Sequence, residues 1–284
     1  MPETLILHLG LHKTATTALQ DFLAGETKAL VAHGVACPRL ARMRSDLTPL
    51  IASAAKPDRA ALARFVGKVR QPVLLLSDEN ILGAPGDILG GALYPWAENR
   101  VRRFCDQFAD RRIRLFLTLR EPAAFLASMY CEYLRHNPYL PFADYARGLD
   151  LDRFSYAQVF DWLGALPRHV AVTVTPFETA RGGGVRMITE RLLQAACGPG
   201  HGIDPGRFPE TRSRASYSVE ELDLAEEIAR RADGKTAQIF LNTLDSRDRR
   251  FGATRFEPLP PNTAAALAAR YDQDLAAFAR LRAA

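Results

Sequence analysis

LILHLGLHKTATT, at residues 5–17, is the stretch that decides the fold of this chain. Its first part, Leu5 to Leu9, is a short apolar run typical of a buried β-strand. A polar loop follows from Gly10, and apolar residues then recur with helical spacing over Thr17 to Ala32. A strand, a glycine-containing loop and a helix in this order direct backbone N–H groups and the helix dipole toward an anion. The stretch therefore predicts an anion-binding loop in an α/β domain.

The rest of the chain continues this alternation of short apolar runs and longer amphipathic stretches. It predicts further strands at Val73 to Leu76, Ile113 to Leu119 and His169 to Thr175. The helices predicted beside them are Asp58 to Arg70, Val101 to Ala109, Pro122 to Arg135, Ala157 to Leu166, Val185 to Ala196, Val219 to Arg231 and Thr263 to Arg282. Helices between strands are typical of crossover connections, so the fold class expected is α/β with a parallel sheet.

The charge of the chain favours an anionic ligand. The formal net charge is +5, and only five of the 37 basic residues are lysines. Arginine is the side chain suited to forked contacts with phosphate. The arginines are scattered, and the sequence has no helix-turn-helix, zinc finger or basic stretch interleaved with aromatic residues, so we expect no nucleic-acid partner.

The four cysteines, Cys37, Cys105, Cys131 and Cys197, lie far apart in sequence and form no CxxC pair. They predict reduced packing residues rather than a zinc site or a disulfide framework, and we expect no metal ligands. No run approaches the roughly 18 apolar residues that a membrane span needs. The sequence therefore predicts a cytoplasmic protein without a transmembrane segment.

The loop GLHKTATT differs from the GxxxxGK[ST] pattern of nucleotide triphosphatases, because Lys13 lies in its middle and no GK pair precedes the helix. It resembles the 5′-phosphosulfate loop of sulfotransferases that use PAPS (3′-phosphoadenosine 5′-phosphosulfate), whose usual form is close to GxxKTGTT. The positions that match are Gly10, Lys13, Thr14, Thr16 and Thr17. Ala15 replaces the family's usual glycine, and we expect alanine to be the least disruptive replacement if the backbone there is helical.

A second stretch, LREPAAFLASMY at residues 119–130, resembles the other signature of that family, a strand ending in Arg, a turn with Pro and a helix with Ser. The resemblance implies that Arg120 and Ser128 bind the 3′-phosphate of PAPS. A late basic loop, Arg212-Ser213-Arg214, is expected to add a contact to the same phosphate. Arg214 is the candidate, although neither spacing nor motif fixes which residue of the loop makes the contact. The resemblance also implies a three-layer P-loop NTPase-like fold over a single domain, 1–284, with a donor-binding core at about 4–180 and a mainly helical part at about 181–284.

The candidate catalytic groups follow from the chemistry that the resemblance implies. Sulfuryl transfer needs a positive charge near the oxygen that leaves with the 5′-phosphate, and Lys13 is the candidate to supply it. It also needs an acceptor for the proton of the attacking hydroxyl. Glu79, directly after the second predicted strand, is the first candidate, because carbohydrate sulfotransferases often carry a glutamate there. Asp78 and His12 remain alternatives.

Two other histidines have weaker assignments. His8 alternates with leucines on the first strand, which is typical of a paired histidine in the core. His136, together with Tyr133 and Arg135, ends the helix that carries Ser128 and is a candidate for the acceptor site.

The sequence analysis thus predicts a sulfotransferase that uses PAPS, releases PAP (3′-phosphoadenosine 5′-phosphate) and acts on a hydroxyl of a carbohydrate or glycolipid. One alternative is a P-loop kinase or NTPase, because VLLLSDE at residues 73–79 also looks like a strand ending in a magnesium-binding acid. Another is a nucleotide-binding protein without turnover. The oligomeric state stays open.

Overall fold

A computed structural model of the chain describes residues 1–53, 58–89, 93–178, 185–207 and 216–283. Its strands are β1 (Thr4–His8), β2 (Val35–Ala36), β3 (Val73–Ser77), β4 (Arg112–Leu119) and β5 (Val170–Pro176). Its α-helices are α1 (Thr16–Gly25), α2 (Thr27–Ala32), α3 (Leu40–Arg42), α4 (Thr48–Ala52), α5 (Arg59–Gly67), α6 (Ala97–Gln107), α7 (Pro122–His136), α8 (Phe142–Ala146), α9 (Ala157–Gly164), α10 (Val185–Cys197), α11 (Val219–Arg231), α12 (Gly234–Ser246) and α13 (Pro261–Ala283). A π-helical turn, Met43–Leu47, separates α3 from α4.

The strands form a five-stranded sheet with the order β2-β3-β1-β4-β5. Every pairing is parallel, and His8 at the end of β1 lies opposite Ser77 of β3 and Phe116 of β4. Because β1 is the central strand, the loops that follow β1, β3 and β4 leave the sheet side by side at its carboxyl edge. The predicted α/β class with a parallel sheet flanked by helices is confirmed. Ligands of open parallel sheets bind at this edge.

The core explains why the strands are nearly continuous apolar runs. Leu5, Ile6 and Leu7 of β1 are all fully buried although their side chains alternate between the two faces of the sheet. Both faces are therefore covered, as parallel sheets require. On one face, a single apolar cluster joins β1 and β3 to α1, α2 and α10, through residues that include Ile6, Leu75, Leu19, Leu23, Leu30, Leu192 and Leu193.

The chain divides into two compact units. The first consists of Met1–Ala84, Tyr94–Arg120 and Val159–Thr211, and it contains the sheet. The second consists of Pro85–Leu93, Glu121–Gln158 and Arg212–Ala284, and it contains α7, α8, α11, α12 and α13. The assignment of a donor-binding core to about 4–180 and a helical part to about 181–284 stays a prediction.

One predicted helix is divided in the structure, and several short helices, among them α3, α4 and α8, were not predicted. The helix predicted over Thr17 to Ala32 is two helices, α1 and α2, because the chain leaves helical geometry at Glu26 directly after Gly25, a poor helix former. Helix α12 was not predicted. It begins at Gly234, and its N-cap is Asp233, whose carboxylate accepts the backbone N–H of Thr236. Within the described residues, no helix combines the length and apolar character needed to cross a membrane.

Candidate functional site

The predicted anion-binding loop runs from the end of β1 to the start of α1 along the carboxyl edge of the sheet. It keeps pairing with β4 after β1 has ended, because the N–H of Leu9 donates to Phe116 O at 2.7 Å and that of Leu11 donates to Thr118 O at 2.9 Å. Thr14 Oγ1 donates to Leu11 O at 2.6 Å and closes a turn within the loop. These bonds hold the loop backbone in one conformation.

Gly10 is required by close packing inside this loop. A Cβ atom at this position would lie 2.5 Å from Thr16 Cγ2 and 2.9 Å from Thr14 Oγ1, which is closer than real Cβ atoms approach. Any larger residue would therefore displace the two threonines. Glycine is needed at position 10 because Thr14 and Thr16 of the same motif fill the space that a side chain would take. The loop sequence is therefore consistent with one compact turn.

The loop backbone adopts left-handed geometry at Lys13 (φ 67°) and Ala15 (φ 59°, ψ 27°). The expectation for alanine was conditional on a helical backbone, and this condition is not met, because Ala15 lies in the left-handed region, where a Cβ atom costs about 1–2 kcal/mol. The family's usual glycine at this position would carry no such cost. The chain thus holds backbone strain in its candidate anion-binding loop.

Replacing Ala15 by glycine is expected to raise the free energy of unfolding by about 0.5–1 kcal/mol, because it removes this strain at some cost in chain entropy. Ala18 is the matched control, since it lies in the regular geometry of α1. There the same change is expected to lower stability by about 0.5–1 kcal/mol. Urea unfolding of the two variants checks the signs, and a loss of stability in Ala15→Gly would contradict the strain argument.

The N-terminus of α1 has no side-chain cap among the described residues. Its N-cap residue is Ala15, and its first turn holds no acidic residue. Other helices of the chain are capped by carboxylates or hydroxyls, namely those of Asp58 at α5, Glu121 at α7 and Ser218 at α11. Helix α1 begins at Thr16. No described side chain accepts a hydrogen bond from the N–H groups of its first turn, so these groups are suited to bind an anion.

Arg120 follows the end of β4 and contacts the same loop. Its Nη1 donates to the carbonyl oxygen of Lys13 at 2.8 Å, and its guanidinium lies 5.7 Å from the ring centre of Phe177. This bond holds the loop at its left-handed Lys13, a role that the sequence did not predict. It also brings Arg120 and Lys13, two predicted ligands of the donor, together in one compact unit.

Glu79 lies at the end of β3, on the opposite side of β1 from Arg120. It begins a short 3₁₀ turn, Glu79–Ile81, and its side chain is buried. Oε2 accepts a hydrogen bond from Gln20 Nε2 at 3.0 Å, and Oε1 accepts one from Arg44 Nη2 at 2.9 Å. Burial raises the pKa of the Glu79 carboxyl, but a backbone hydrogen bond, His12, Arg44 and Gln20 together lower it by more, so the group is ionised at neutral pH.

Asp78, the alternative to Glu79, is fully buried, and its carboxylate is bonded to neighbouring elements of the fold. Its carboxylate accepts hydrogen bonds from Thr48 Oγ1 at 2.5 Å and from the N–H of Asn80 at 3.1 Å, and it lies 3.4 Å from Arg44. It therefore caps the 3₁₀ turn and anchors α4. Which of the two carboxylates takes a proton stays a prediction.

His12 lies in the loop with both ring nitrogens paired. Its Nδ1 is 2.6 Å from the hydroxyl of Tyr94, and its Nε2 is 3.2 Å from Oδ1 of Asn80. The ring also stacks on Tyr94, with centroids 5.6 Å apart. With Asn80 accepting from Nε2–H, a neutral ring leaves Nδ1 to accept from the Tyr94 hydroxyl. The contacts hold His12 in place, and its predicted role as a proton acceptor stays a prediction.

The interpretation of His8 as a paired core residue is confirmed. It is buried, and its Nδ1 lies 2.9 Å from Ser77 Oγ. Burial lowers the pKa of His8 to about 4, although the nearby Glu79 acts in the opposite direction. His8 is therefore neutral throughout the physiological range and part of the framework below the loop.

Ser128 lies in the second compact unit, buried on α7. Its Oγ is 3.3 Å from Oγ of Ser216, whose carbonyl oxygen accepts a hydrogen bond from Arg250 Nη2 at 2.7 Å. Glu121, the N-cap of α7, accepts the N–H groups of Ala123 and Ala124 through its carboxylate. The predicted contact at Arg214 lies outside the described residues.

A partly buried charged cluster surrounds Tyr217 in this unit. The guanidinium groups of Arg135 and Arg250 lie 4.9 Å and 4.6 Å from the centre of the Tyr217 ring. Arg135 is bound to Asp245 at 2.9 Å and Glu132 at 3.0 Å, and Nε2 of His136 is 3.3 Å from Glu132. Arg135 is thus bound into the framework, and the place of His136, Tyr133 and Arg135 in an acceptor site stays a prediction.

The structure brings together Lys13, the α1 N-terminus, Arg120, Glu79 and His12 at the edge of three adjacent strands. Sequence reasoning missed their partners, which are Gln20, Arg44, Asn80 and Tyr94. Among the described residues, no group of three or more His, Cys, Asp and Glu side chains is arranged to hold a metal ion. No protein-family model matches the chain, and no curated protein matches it.

Proposed function

We propose that the chain is a sulfotransferase that moves a sulfuryl group from PAPS to a hydroxyl of a carbohydrate or glycolipid acceptor. The observation that carries the proposal is the placement of the Lys13 loop, Glu79 and Arg120 at the ends of three neighbouring parallel strands, with Arg120 bonded to Lys13. A cationic loop and an ionised carboxylate at one sheet edge match the two needs of the reaction, a charge for the leaving oxygen and an acceptor for a proton.

The residues of this edge fit a phosphosulfate group. The first turn of α1 is free of a side-chain cap, Lys13 and Arg120 supply positive charge, and the loop is fixed by its own backbone bonds. A five-stranded parallel sheet with this loop after its central strand is compatible with the P-loop NTPase-like fold that the sequence resemblance implies. Ser128 and Arg214 stay predicted ligands of the 3′-phosphate.

The reaction divides between Lys13 and Glu79. The acceptor oxygen forms a bond to sulfur while the bond from sulfur to the 5′-phosphate oxygen breaks, and the electron pair of that bond stays on the phosphate oxygen. Lys13 offsets the negative charge that develops there. Glu79 takes the proton of the acceptor hydroxyl, and PAP leaves as the second product.

The contacts of Asp78 and Glu79 favour a sulfotransferase over a magnesium-dependent kinase or NTPase. A magnesium ion needs carboxylate oxygens in an anionic setting. Here Arg44 is bonded to Glu79 and lies 3.4 Å from Asp78, and Thr48 and Asn80 also donate to Asp78. A magnesium ion at this position would be repelled by the positive charge of Arg44. The loop also lacks the GK[ST] order.

The proposal is tested by incubating the protein with ³⁵S-labelled PAPS and a panel of hydroxyl acceptors, with label transfer and PAP release as readouts. We expect transfer to carbohydrate or glycolipid hydroxyls in the presence of EDTA, because no step needs a metal. Parallel reactions contain ATP with magnesium. Consumption of ATP with phosphoryl transfer to the same acceptors would reject the proposal, and binding of PAP without release of sulfate or product would favour a nucleotide-binding protein without turnover.

A further inference from the structure

The Glu79 carboxylate is held from two sides by residues of different elements. Gln20, on α1 directly after the anion-binding loop, donates to Oε2 at 3.0 Å, and Arg44, on the π-helical turn Met43–Leu47, donates to Oε1 at 2.9 Å. Each carboxylate oxygen thus has one fixed side-chain donor, in addition to the backbone hydrogen bond that the carboxylate accepts. The two contacts define the plane in which the carboxylate lies.

The Gln20 contact is locked by its surroundings. The side chain is buried, and its Nε2 also lies 3.2 Å from the carbonyl oxygen of Ser77. Ser77 in turn binds His8 through its hydroxyl. The amide is therefore held against the end of β3, and it connects the helix of the anion-binding loop to the carboxylate.

The Arg44 contact depends on an unusual piece of backbone. π-helical turns are rare and are frequently found at functional sites. From this turn the guanidinium reaches both Asp78, at 3.4 Å, and Glu79, while 42% of the side chain stays exposed. Arg44 therefore bridges a structural carboxylate and the candidate proton acceptor, with one side open to solvent.

We propose that Gln20 and Arg44 are positioning residues, which hold the Glu79 carboxylate ionised and in one orientation to receive the proton of the acceptor hydroxyl. The inference rests on the proposed function insofar as Glu79 is the proton acceptor. An alcohol is a much weaker acid than a carboxylic acid, so its proton leaves only as the bond to sulfur forms. This step needs an ionised oxygen of Glu79 at a fixed place. The two donors hold the carboxylate in place and, together with the backbone hydrogen bond and His12, keep it ionised.

Among the described residues, charged or titratable groups from several elements act on Glu79 or pack around its turn. His8 ends β1, His12 lies in the loop, Asp78 precedes Glu79, Arg44 binds it, and Arg100 on α6 donates to Leu82 O after the turn. His12 and Arg44 both lower the pKa of Glu79, and of these two Arg44 is the one bonded to the carboxylate in the described structure. Its removal leaves burial less opposed, and the pKa of Glu79 then rises.

The pH dependence of kcat/KM tests this inference. In Arg44→Gln, the acidic limb is expected to move up by about 1 pH unit, with a smaller loss of activity above that limb, since partial exposure of Arg44 limits its effect. Arg44→Lys keeps the positive charge, so its acidic limb should lie close to the pH of the wild-type limb. Arg42→Gln is the control, because Arg42 is exposed and pairs with Asp46 at 3.6 Å. An unmoved limb in Arg44→Gln, or an equal shift in Arg42→Gln, would overturn the proposal.

Titration of the carboxyl carbon of Glu79 by ¹³C NMR gives a readout that does not need activity, with Glu79→Gln identifying the signal. The pKa should rise in Arg44→Gln and, by less, in Gln20→Leu, which keeps the shape but removes the donor. An unchanged pKa of Glu79 in both variants would refute the role of Gln20 and Arg44, whether or not the protein transfers sulfuryl groups. A raised pKa in a protein that never turns over PAPS would reject the proposed function and leave the ionising role of the two residues in place.

Discussion

Replacing Lys13 by methionine is expected to lower kcat for sulfuryl transfer by about 10²–10³-fold, because it removes the charge that offsets the leaving phosphate oxygen. Methionine has a similar length and meets the same backbone penalty in the left-handed geometry of this position. The loop contact is also kept, since Arg120 binds the carbonyl oxygen of Lys13 and not its side chain. The effect should therefore appear in kcat more than in stability, and initial rates at saturating acceptor measure it.

Lys68 is the matched control for this variant. It is an exposed lysine that follows α5, and Lys68→Met changes the net charge by the same amount. We expect its kcat to equal that of the wild type. If Lys13→Met also kept the wild-type kcat, the amine would have no part in the chemistry and the loop would bind its ligand through backbone N–H groups alone.

Replacing Glu79 by glutamine is expected to lower kcat by about 10²–10⁴-fold while the affinity for PAP stays nearly unchanged. Glutamine fills the same space but cannot take the proton of an acceptor hydroxyl. The pKa of Glu79 is lowered in the fold, so the wild-type carboxylate is ionised through the neutral range and activity falls only as the pH drops through that lowered pKa. In Glu79→Gln this acidic limb should be absent from the residual activity.

Glu98 provides the control for Glu79. It forms a partly exposed ion pair with Arg102 one turn later on α6, and Glu98→Gln should leave both kcat and the pH profile unchanged. Retained turnover in Glu79→Gln would move the proton acceptor to another group. His12 would then be the next candidate, since it lies in the loop and its ring is held by Tyr94 and Asn80.

Much of the fold could be predicted because the strands β1 and β3 are buried on both faces. Runs such as VLLLS at β3 and RIRLFLTL at β4 are rich in apolar residues over a short length, and this pattern is typical of strands inside a parallel sheet. The two-residue strand β2 and the π-helical turn Met43–Leu47 carry no such pattern. Their geometry is set by packing against the sheet and by contacts such as the one from Arg44, which is why the sequence did not show them.

The candidate site was predictable only where a motif marks it. The strand-loop-helix order locates Lys13, and the ends of β3 and β4 locate Glu79 and Arg120 next to it, because parallel strands bring their carboxyl ends to one edge. Gln20, Arg44 and Tyr94 come from separate parts of the chain and belong to no motif. The left-handed backbone at Ala15 was also missed, since an alanine gives no sign of the φ value it adopts.

The most direct test of the central claim, that the Lys13 loop binds the PAPS donor, is the thermal unfolding of the wild-type protein with PAP, AMP, or ATP with magnesium. The account predicts the largest rise of Tm with PAP and a smaller rise with AMP at the same concentration. At 100 times its Kd, PAP should raise the free energy of unfolding by about 2.7 kcal/mol. A larger rise with ATP and magnesium than with PAP would contradict it.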